Sequence, residues 1–204
     1  MVMPPSLPTP RSPWTSISPL ILLSWKTIYR RGPGMDRQQL EAFDARWFSW
    51  LSLAGRRPGL RRLAILLAHS GDSWFWLLAL AILALTGDQA MRIWAYRLGG
   101  AILGLALLVL TIKLVVRRQR PDGQWGAIYR KSDPHSFPSG HAARAVLLAV
   151  LALGLGPVWL AAVLLPWAPL VGLARIAMGL HYPTDVLAGA AIGLAAGLIT
   201  LLIF

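Results

Sequence analysis

The sequence predicts an all-α protein: a polytopic membrane helix bundle of five to six transmembrane helices, preceded by an N-terminal amphipathic helix. Three observations carry this prediction. Of the 204 residues, 56% are hydrophobic and only 14% are charged, too little polar surface to cover a soluble core of this size. Five apolar segments of near-spanning length follow one another in the last two thirds of the chain. The stretch just before them repeats its apolar residues at helical spacing.

Residues 1–36 are rich in Pro, Ser and Arg, and their longest apolar run, "ISPLILLSW", falls short of the roughly 20 residues a span requires. The start has neither the charged opening nor the cleavage site of a signal peptide, so these residues read as a flexible or interfacial arm. Residues 37–62 read as an amphipathic helix and a basic linker. Leu40, Phe43, Trp47, Trp50 and Leu51 recur at helical spacing, with Arg37, Glu41 and Asp44 elsewhere on the wheel, until "GRRPGLRR" breaks the pattern. Residues 63–204 form the membrane domain. Its apolar segments lie near 72–87, 91–116, 139–155, 157–177 and 184–204, the first reaching back toward Leu63 with an irregularity at Gly71 and Asp72. Only "GLGP" joins the third and fourth segments, which makes them a tight helical hairpin. The last contains "LAGAAIGLAAGL", with small residues at four-residue spacing that let membrane helices approach closely.

The formal charge is +12, from 17 Arg and 3 Lys against 8 acids. In a membrane protein this excess suits loops lying on anionic headgroups, or a phosphate-bearing substrate. The basic residues do not cluster on a polar domain, which argues against nucleic acid. The chain has no cysteine, so disulfides and thiolate metal sites are excluded.

Polar residues interrupt the apolar pattern at three places: "KLVVRRQRP" (113–121), "PSGH" (138–141) and "ARIAMGLHYPTD" (174–185). An even number of spans separates the loop after the second long segment from the loop before the last. Both loops therefore face one side of the membrane, and they gather Lys113, Arg120, Ser139, His141, Arg175, His181 and Asp185 there. Charges at membrane depth are costly and usually mark function. Lys113, Arg120 and Arg175 are cations able to clamp an oxyanion. Ser139 is a good N-cap, and the free N–H groups after it, beginning at Gly140, attract phosphate. Pro183 suits a first helical turn, which puts Asp185 near the third helical position and His181 just ahead of it. The Asp185 carboxylate is expected to accept a hydrogen bond from His181, fixing the tautomer and freeing the other nitrogen to attack. His141 would stand opposite as proton donor to the leaving oxygen. Such a set suits phosphoryl transfer without a metal or other cofactor.

These residues resemble the three motifs of the type 2 phosphatidic acid phosphatase (PAP2) superfamily, K-x6-R-P, P-S-G-H and S-R-x5-H-x3-D. The chain has Lys113-x6-Arg120-Pro121, Pro138-Ser139-Gly140-His141 and Arg175-x5-His181-x3-Asp185, with Ala174 in place of the serine. The resemblance implies a PAP2/haloperoxidase-like core over about 63–204. It implies His181 as a nucleophile forming phosphohistidine, oriented by Asp185, and His141 as general acid and then base. Lys113, Arg120, Ser139, Gly140 and Arg175 become the phosphate cradle. A looser likeness, in the short chain and the run Arg46-Trp47-Phe48-Ser49-Trp50-Leu51, points to bacterial undecaprenyl pyrophosphate phosphatases. Phosphatidic acid and phosphatidylglycerol phosphate are the alternative substrates. A vanadate-dependent haloperoxidase-like enzyme and a non-catalytic lipid-binding protein are remoter readings, and a transporter is remoter still.

The other polar residues receive plainer expectations. Arg117 and Arg118 read as interfacial anchors, His69 and His135 as structural, Asp122 and Asp133 as solvating the loop, and Asp72 as a helix cap. Arg144 either meets a headgroup or faces the bundle. The ten tryptophans suggest an interfacial belt. The family's habit in bacteria places the active site on the outer side of the inner membrane. The ten Lys and Arg of residues 1–62 lie on the active-site side of a five-span chain and argue for the cytoplasm.

Overall fold

The computed structural model describes residues 37–54, 57–122 and 133–204. Seven helices make up nearly all of these: α1 (Arg37–Ala54), α2 (Pro58–Ser70), α3 (Ser73–Thr86), α4 (Gln89–Val116), α5 (Gly140–Leu155), α6 (Val158–Ala177) and α7 (Pro183–Ile203). The only β pairing among the described residues is an isolated bridge between Gln119 and His135. The N-terminal arm, and any sixth span within it, lie outside the described residues.

By length and apolarity α4, α6 and α7 reach across a membrane, and α2 with α3, bent by 51° between them, makes either a broken fourth span or a re-entrant loop. The bend falls at Gly71 and Asp72, where the sequence suggests an irregularity. Helix α2 begins at Pro58 and takes in the end of the basic linker. Helix α5 has 16 residues. At about 1.5 Å per residue it is about 24 Å long, short of about 30 Å of hydrocarbon. It is nevertheless the centre of the bundle, buried along Ala142–Ala145, Leu147–Ala149 and Leu151–Ala152 and packed against α4, α6 and α7.

The contact between α5 and α7 positions the polar loops. Gly189, Gly193 and Gly197 lie on the face of α7 that meets α5. A Cβ at Gly193 would collide with the Ala143 carbonyl, one at Gly189 with the Ser139 carbonyl, and one at Gly197 would stand 2.8 Å from Val150 Cγ1. Small residues at this spacing remove the side-chain layer between helices, so van der Waals packing draws the backbones together. The start of α7 thus lies directly on the start of α5, where the Ser139 N–H donates to the Asp185 carbonyl at 2.9 Å.

Helix α1 packs on α6 and α7. The sequence puts Asp44 on its polar side; instead Asp44 is the buried residue, 2% exposed, while Trp47 and Trp50 face outward. Those two rings, with the exposed Trp159 near the start of α6, fit an interfacial belt.

Candidate active site

All three polar segments converge at one end of the bundle. The chain leaves α4 through Arg117, which closes the helix in the left-handed region with φ of 51°. The returning segment is tied back by the Ser136 N–H, which donates to the Arg118 carbonyl at 2.8 Å. A cavity of about 380 Å³ opens here, and its polar lining includes Lys113, His141, His181 and the Gly140 backbone. One face of α4, from Ile102 through Leu105 and Val109, forms an apolar wall running from these groups down the bundle. Arg120, Ser139, Arg175 and Asp185 are buried around the cavity without lining it.

His181 is 1% exposed and sits in the turn before α7. Its Nδ1 lies 2.8 Å from the Ser136 carbonyl. A carbonyl only accepts, so Nδ1 carries the proton and Nε2 keeps its lone pair. Nε2 meets Arg120 Nη1 at 3.2 Å. Burial, and then the charges of Arg120, Arg175 and Lys113, hold His181 well below the ordinary histidine range, so the ring is neutral at pH 7.

The expected bond between His181 and Asp185 is therefore corrected. Nδ1 is 3.8 Å from Asp185 Oδ2, and the backbone of Ser136 takes its place. Asp185 does occupy the third position of α7 after Pro183. Its Oδ2 accepts the Tyr182 N–H at 2.8 Å, closing the turn that carries His181. Its Oδ1 accepts from Arg118 at 2.6 Å.

Arg118 is the second correction. It is fully buried rather than an interfacial anchor. Its guanidinium bridges Asp185 and Asp44, each at 2.6 Å, reaches the Thr184 hydroxyl at 2.7 Å, and stacks 4.2 Å from the centre of the Tyr182 ring. Asp44 also accepts the Thr184 N–H at 2.9 Å. This network ties α1 and the end of α4 to the first turn of α7. Burial pushes the Tyr182 hydroxyl up to about 12, against the opposing effect of Arg118.

Lys113 and Arg120 are already engaged. Asp133 does more than solvate its loop: its carboxylate pairs with Lys113 and, at 2.7 Å, with Arg120. Lys113 also donates to the His135 carbonyl at 3.1 Å, and Arg120 to the Leu180 carbonyl at 2.7 Å. His135, read as structural, lines the cavity. Ser139 is an N-cap as expected, its hydroxyl accepting from the Ala142 N–H at 3.4 Å. Arg144 faces the bundle, donates to the Gly71 carbonyl and lines the cavity.

Asp72 is the third correction. It stands at the N-cap of α3 without forming a side-chain cap. Its oxygens instead meet His141 Nε2 at 2.7 Å and His69 Nδ1 at 3.2 Å. A polar residue beside a break in an apolar run is the one hint of this role that the sequence offers.

The chain matches known proteins in sequence and in fold. The family model described as the PAP2 superfamily matches residues 94–204. The decaprenylphosphoryl-5-phosphoribose phosphatase of Mycobacterium tuberculosis is 39% identical over 149 residues, covering 70% of this chain and 80% of that protein. The protein of the same name from Mycolicibacterium smegmatis is 39% identical over 140 residues, 68% of this chain and 75% of the other. Among solved structures, Aquifex aeolicus LpxE superposes with a TM-score of 0.62 at 28% identity, over 77% of this chain and 93% of its own. The PAP2 type phosphatidylglycerolphosphate phosphatase of Bacillus subtilis shares the fold, with a TM-score of 0.66 at 24% identity over 89% of this chain and 93% of its own. With the family model covering more than half of the chain, and relatives of this identity matched over most of their length, the chain belongs to the PAP2 superfamily and is a multi-pass membrane lipid phosphatase.

Proposed function

We propose that the chain hydrolyses the phosphate of a polyprenyl-linked headgroup through a phosphohistidine intermediate, with a phosphorylated sugar on a polyprenyl phosphate as the preferred substrate. The observation that carries this reading is the cavity in which His141, His181 and Lys113 meet an apolar wall running down α4. A charged head fits the first part and a long apolar tail the second. The mycobacterial relatives favour a phosphoribosyl head on a decaprenyl tail. Undecaprenyl pyrophosphate shares the type of tail, and phosphatidic acid and phosphatidylglycerol phosphate share only the phosphate.

In the proposed reaction the His181 Nε2 lone pair attacks phosphorus. The bond to the leaving oxygen breaks, and the imidazolium form of His141 gives that oxygen the proton on Nδ1, its Nε2–H being held by Asp72. In the second step His141 takes a proton from water, the resulting hydroxide attacks phosphorus, the P–N bond breaks and inorganic phosphate leaves. Lys113, Arg120, Arg175 and the N–H groups opening α5, with Gly140 first, stabilise the charge on the equatorial oxygens. For Lys113 and Arg120 to do so, the phosphate takes over the place of the Asp133 carboxylate. Ser139 holds the helix opening in shape, and Asp185 fixes the turn bearing His181.

The test is phosphate release by the purified protein with excess chelator on four lipids: a decaprenyl phosphosugar phosphate, undecaprenyl pyrophosphate, phosphatidic acid and phosphatidylglycerol phosphate. The first is expected to be turned over fastest, and His181→Ala to lose at least about a thousandfold. Full activity in His181→Ala, or dependence on added metal, refutes the mechanism. We further place the site on the outer face of a bacterial inner membrane. The chain has no cysteine, so Gln119→Cys at the site end and Gln89→Cys at the other can be labelled singly in intact cells. An impermeant maleimide is expected to label the Gln119→Cys protein; labelling of the Gln89→Cys protein alone reverses that placement.

A further inference from the structure

Asp72 stands where an N-cap is expected but leaves the α3 N–H groups alone and turns to two imidazoles. The bend that carries it is gripped from three helices. Trp76 of α3 donates to the Ser70 carbonyl at 2.9 Å, Trp167 of α6 to the Ser70 hydroxyl at 2.8 Å, and Arg144 of α5 to the Gly71 carbonyl. Gly71 itself comes so close that a Cβ there would stand 3.3 Å from His141 Cδ2 and 3.1 Å from Val171 Cγ1. The cations that bear on His141 are Arg144 and Arg175, and Asp72 is the anion hydrogen-bonded to it. Burial first, and then the charges of Arg175 and Arg144, oppose a proton on this ring even with Asp72 beside it, and the Asp72 carboxylate is what works in the other direction.

We propose that Asp72 is a positioning residue of the phosphatase reaction, acting through His141: its carboxylate orients the ring and balances the positive charge the ring carries whenever it holds the proton. The inference rests on the acid–base role proposed for His141. In the first step Asp72 keeps the proton available for the leaving oxygen. In the second it stabilises the imidazolium formed when His141 takes a proton from water. Asp72 touches neither substrate nor phosphorus in this scheme. It lies far from the three motifs in sequence, and the bend between α2 and α3 is what delivers it.

The test uses the purified full-length protein in detergent, with Asp72→Asn, His141→Asn and the double variant. Two esters are compared: a long-chain alkyl phosphate, whose leaving oxygen needs a proton, and p-nitrophenyl phosphate, whose leaving group departs as a stable anion. Asp72→Asn is expected to lower kcat on the alkyl ester by about 100-fold with KM changed by less than about threefold. With the aryl ester the first turnover, seen as a burst of nitrophenolate, should survive while steady turnover slows. In the His141→Asn background Asp72→Asn should cost nothing further, because coupled residues are not additive. Wild-type kcat in Asp72→Asn, equal loss of the first turnover on both esters, or a full additive loss in the double variant overturns the inference. Full activity in His141→Asn overturns the acid–base role beneath it, so the two failures are distinct. If Asp72→Asn cannot be recovered folded, Asp72→Glu is assayed in its place. The same split between esters supports the proposal there, and uniform loss overturns it.

Discussion

Arg118→Met asks whether one arginine in a run of four polar residues, "RRQR", holds the site end of the molecule together. The side chain is 0% exposed, and the carboxylates it joins, Asp185 and Asp44, are 0% and 3% exposed. Methionine preserves much of the volume and removes the charge, which strands two buried carboxylates against each other. Removing one partner of a buried ion pair typically costs about 3–5 kcal/mol, whereas an exposed pair is worth about 1 kcal/mol at most. The two cases differ by enough to decide between them. A loss of about 3–5 kcal/mol is roughly a hundred- to a few-thousand-fold in the folding equilibrium. Equilibrium unfolding in mixed micelles measures it, with Arg117→Met as control. Arg117 is exposed and donates to the Leu114 carbonyl of its own helix end at 2.8 Å. Adding Asp44→Asn to Arg118→Met should recover part of the loss, since it neutralises one stranded carboxylate. A cost for Arg118→Met of about 1 kcal/mol or less, or one equal to that of Arg117→Met, refutes the reasoning.

Three other outcomes are expected. His181 should stay neutral well below its ordinary value of 6.5, because burial and three cations oppose its charge. The unfolded chain takes up that proton near 6.5, so this contribution to stability is whole above 6.5 and is lost as pH falls through the lower folded value; imidazole nitrogen NMR follows the titration, and a midpoint at or above the ordinary histidine value contradicts the site's electrostatics. Gly193→Val drives a side chain into the Ala143 carbonyl and should destabilise the fold by at least about 1–3 kcal/mol, while Leu198→Val on the outer face of α7 should change little, both read by the same unfolding assay. Asp133→Asn weakens the internal competitor for Lys113 and Arg120 and should tighten inhibition by inorganic phosphate about tenfold, or about 1.4 kcal/mol; weaker inhibition would show that Asp133 organises these cations instead of occupying them.

The bundle was legible because its signals are compositional. Apolar length marks α4, α6 and α7, small residues at four-residue spacing mark the α7 face on α5, and Pro183 sets Asp185 at the third helical position. The gathering of His141, His181 and Lys113 follows from loop parity, which needs only the order of the spans. What was not legible depends on directions that residue names do not carry. The partner of His181 is a main-chain carbonyl, and every residue has one. Arg117 and Arg118 are neighbours of identical chemistry, yet a left-handed residue at the end of α4 leaves the first outside and turns the second in. Asp44 looks like the polar side of an amphipathic helix until Arg118 is known to be buried beneath it. Asp72 has the right residue type and position for a cap, and only the packing of α5 against the bend turns it elsewhere.

Helix α4 is 28 residues long, about 42 Å against roughly 30 Å of hydrocarbon, and a common tilt of about 20° still leaves about 39 Å. The surplus carries one end, or both, up among the lipid heads, and Lys113 lies within the last turn. A substrate can then arrive by gliding sideways within its own leaflet, its tail never leaving oil and its head never entering it. Such a catalyst searches a plane rather than a volume. Its turnover should track the mole fraction of substrate in the surface, and diluting a mixed micelle with inert detergent should slow it even at constant bulk concentration.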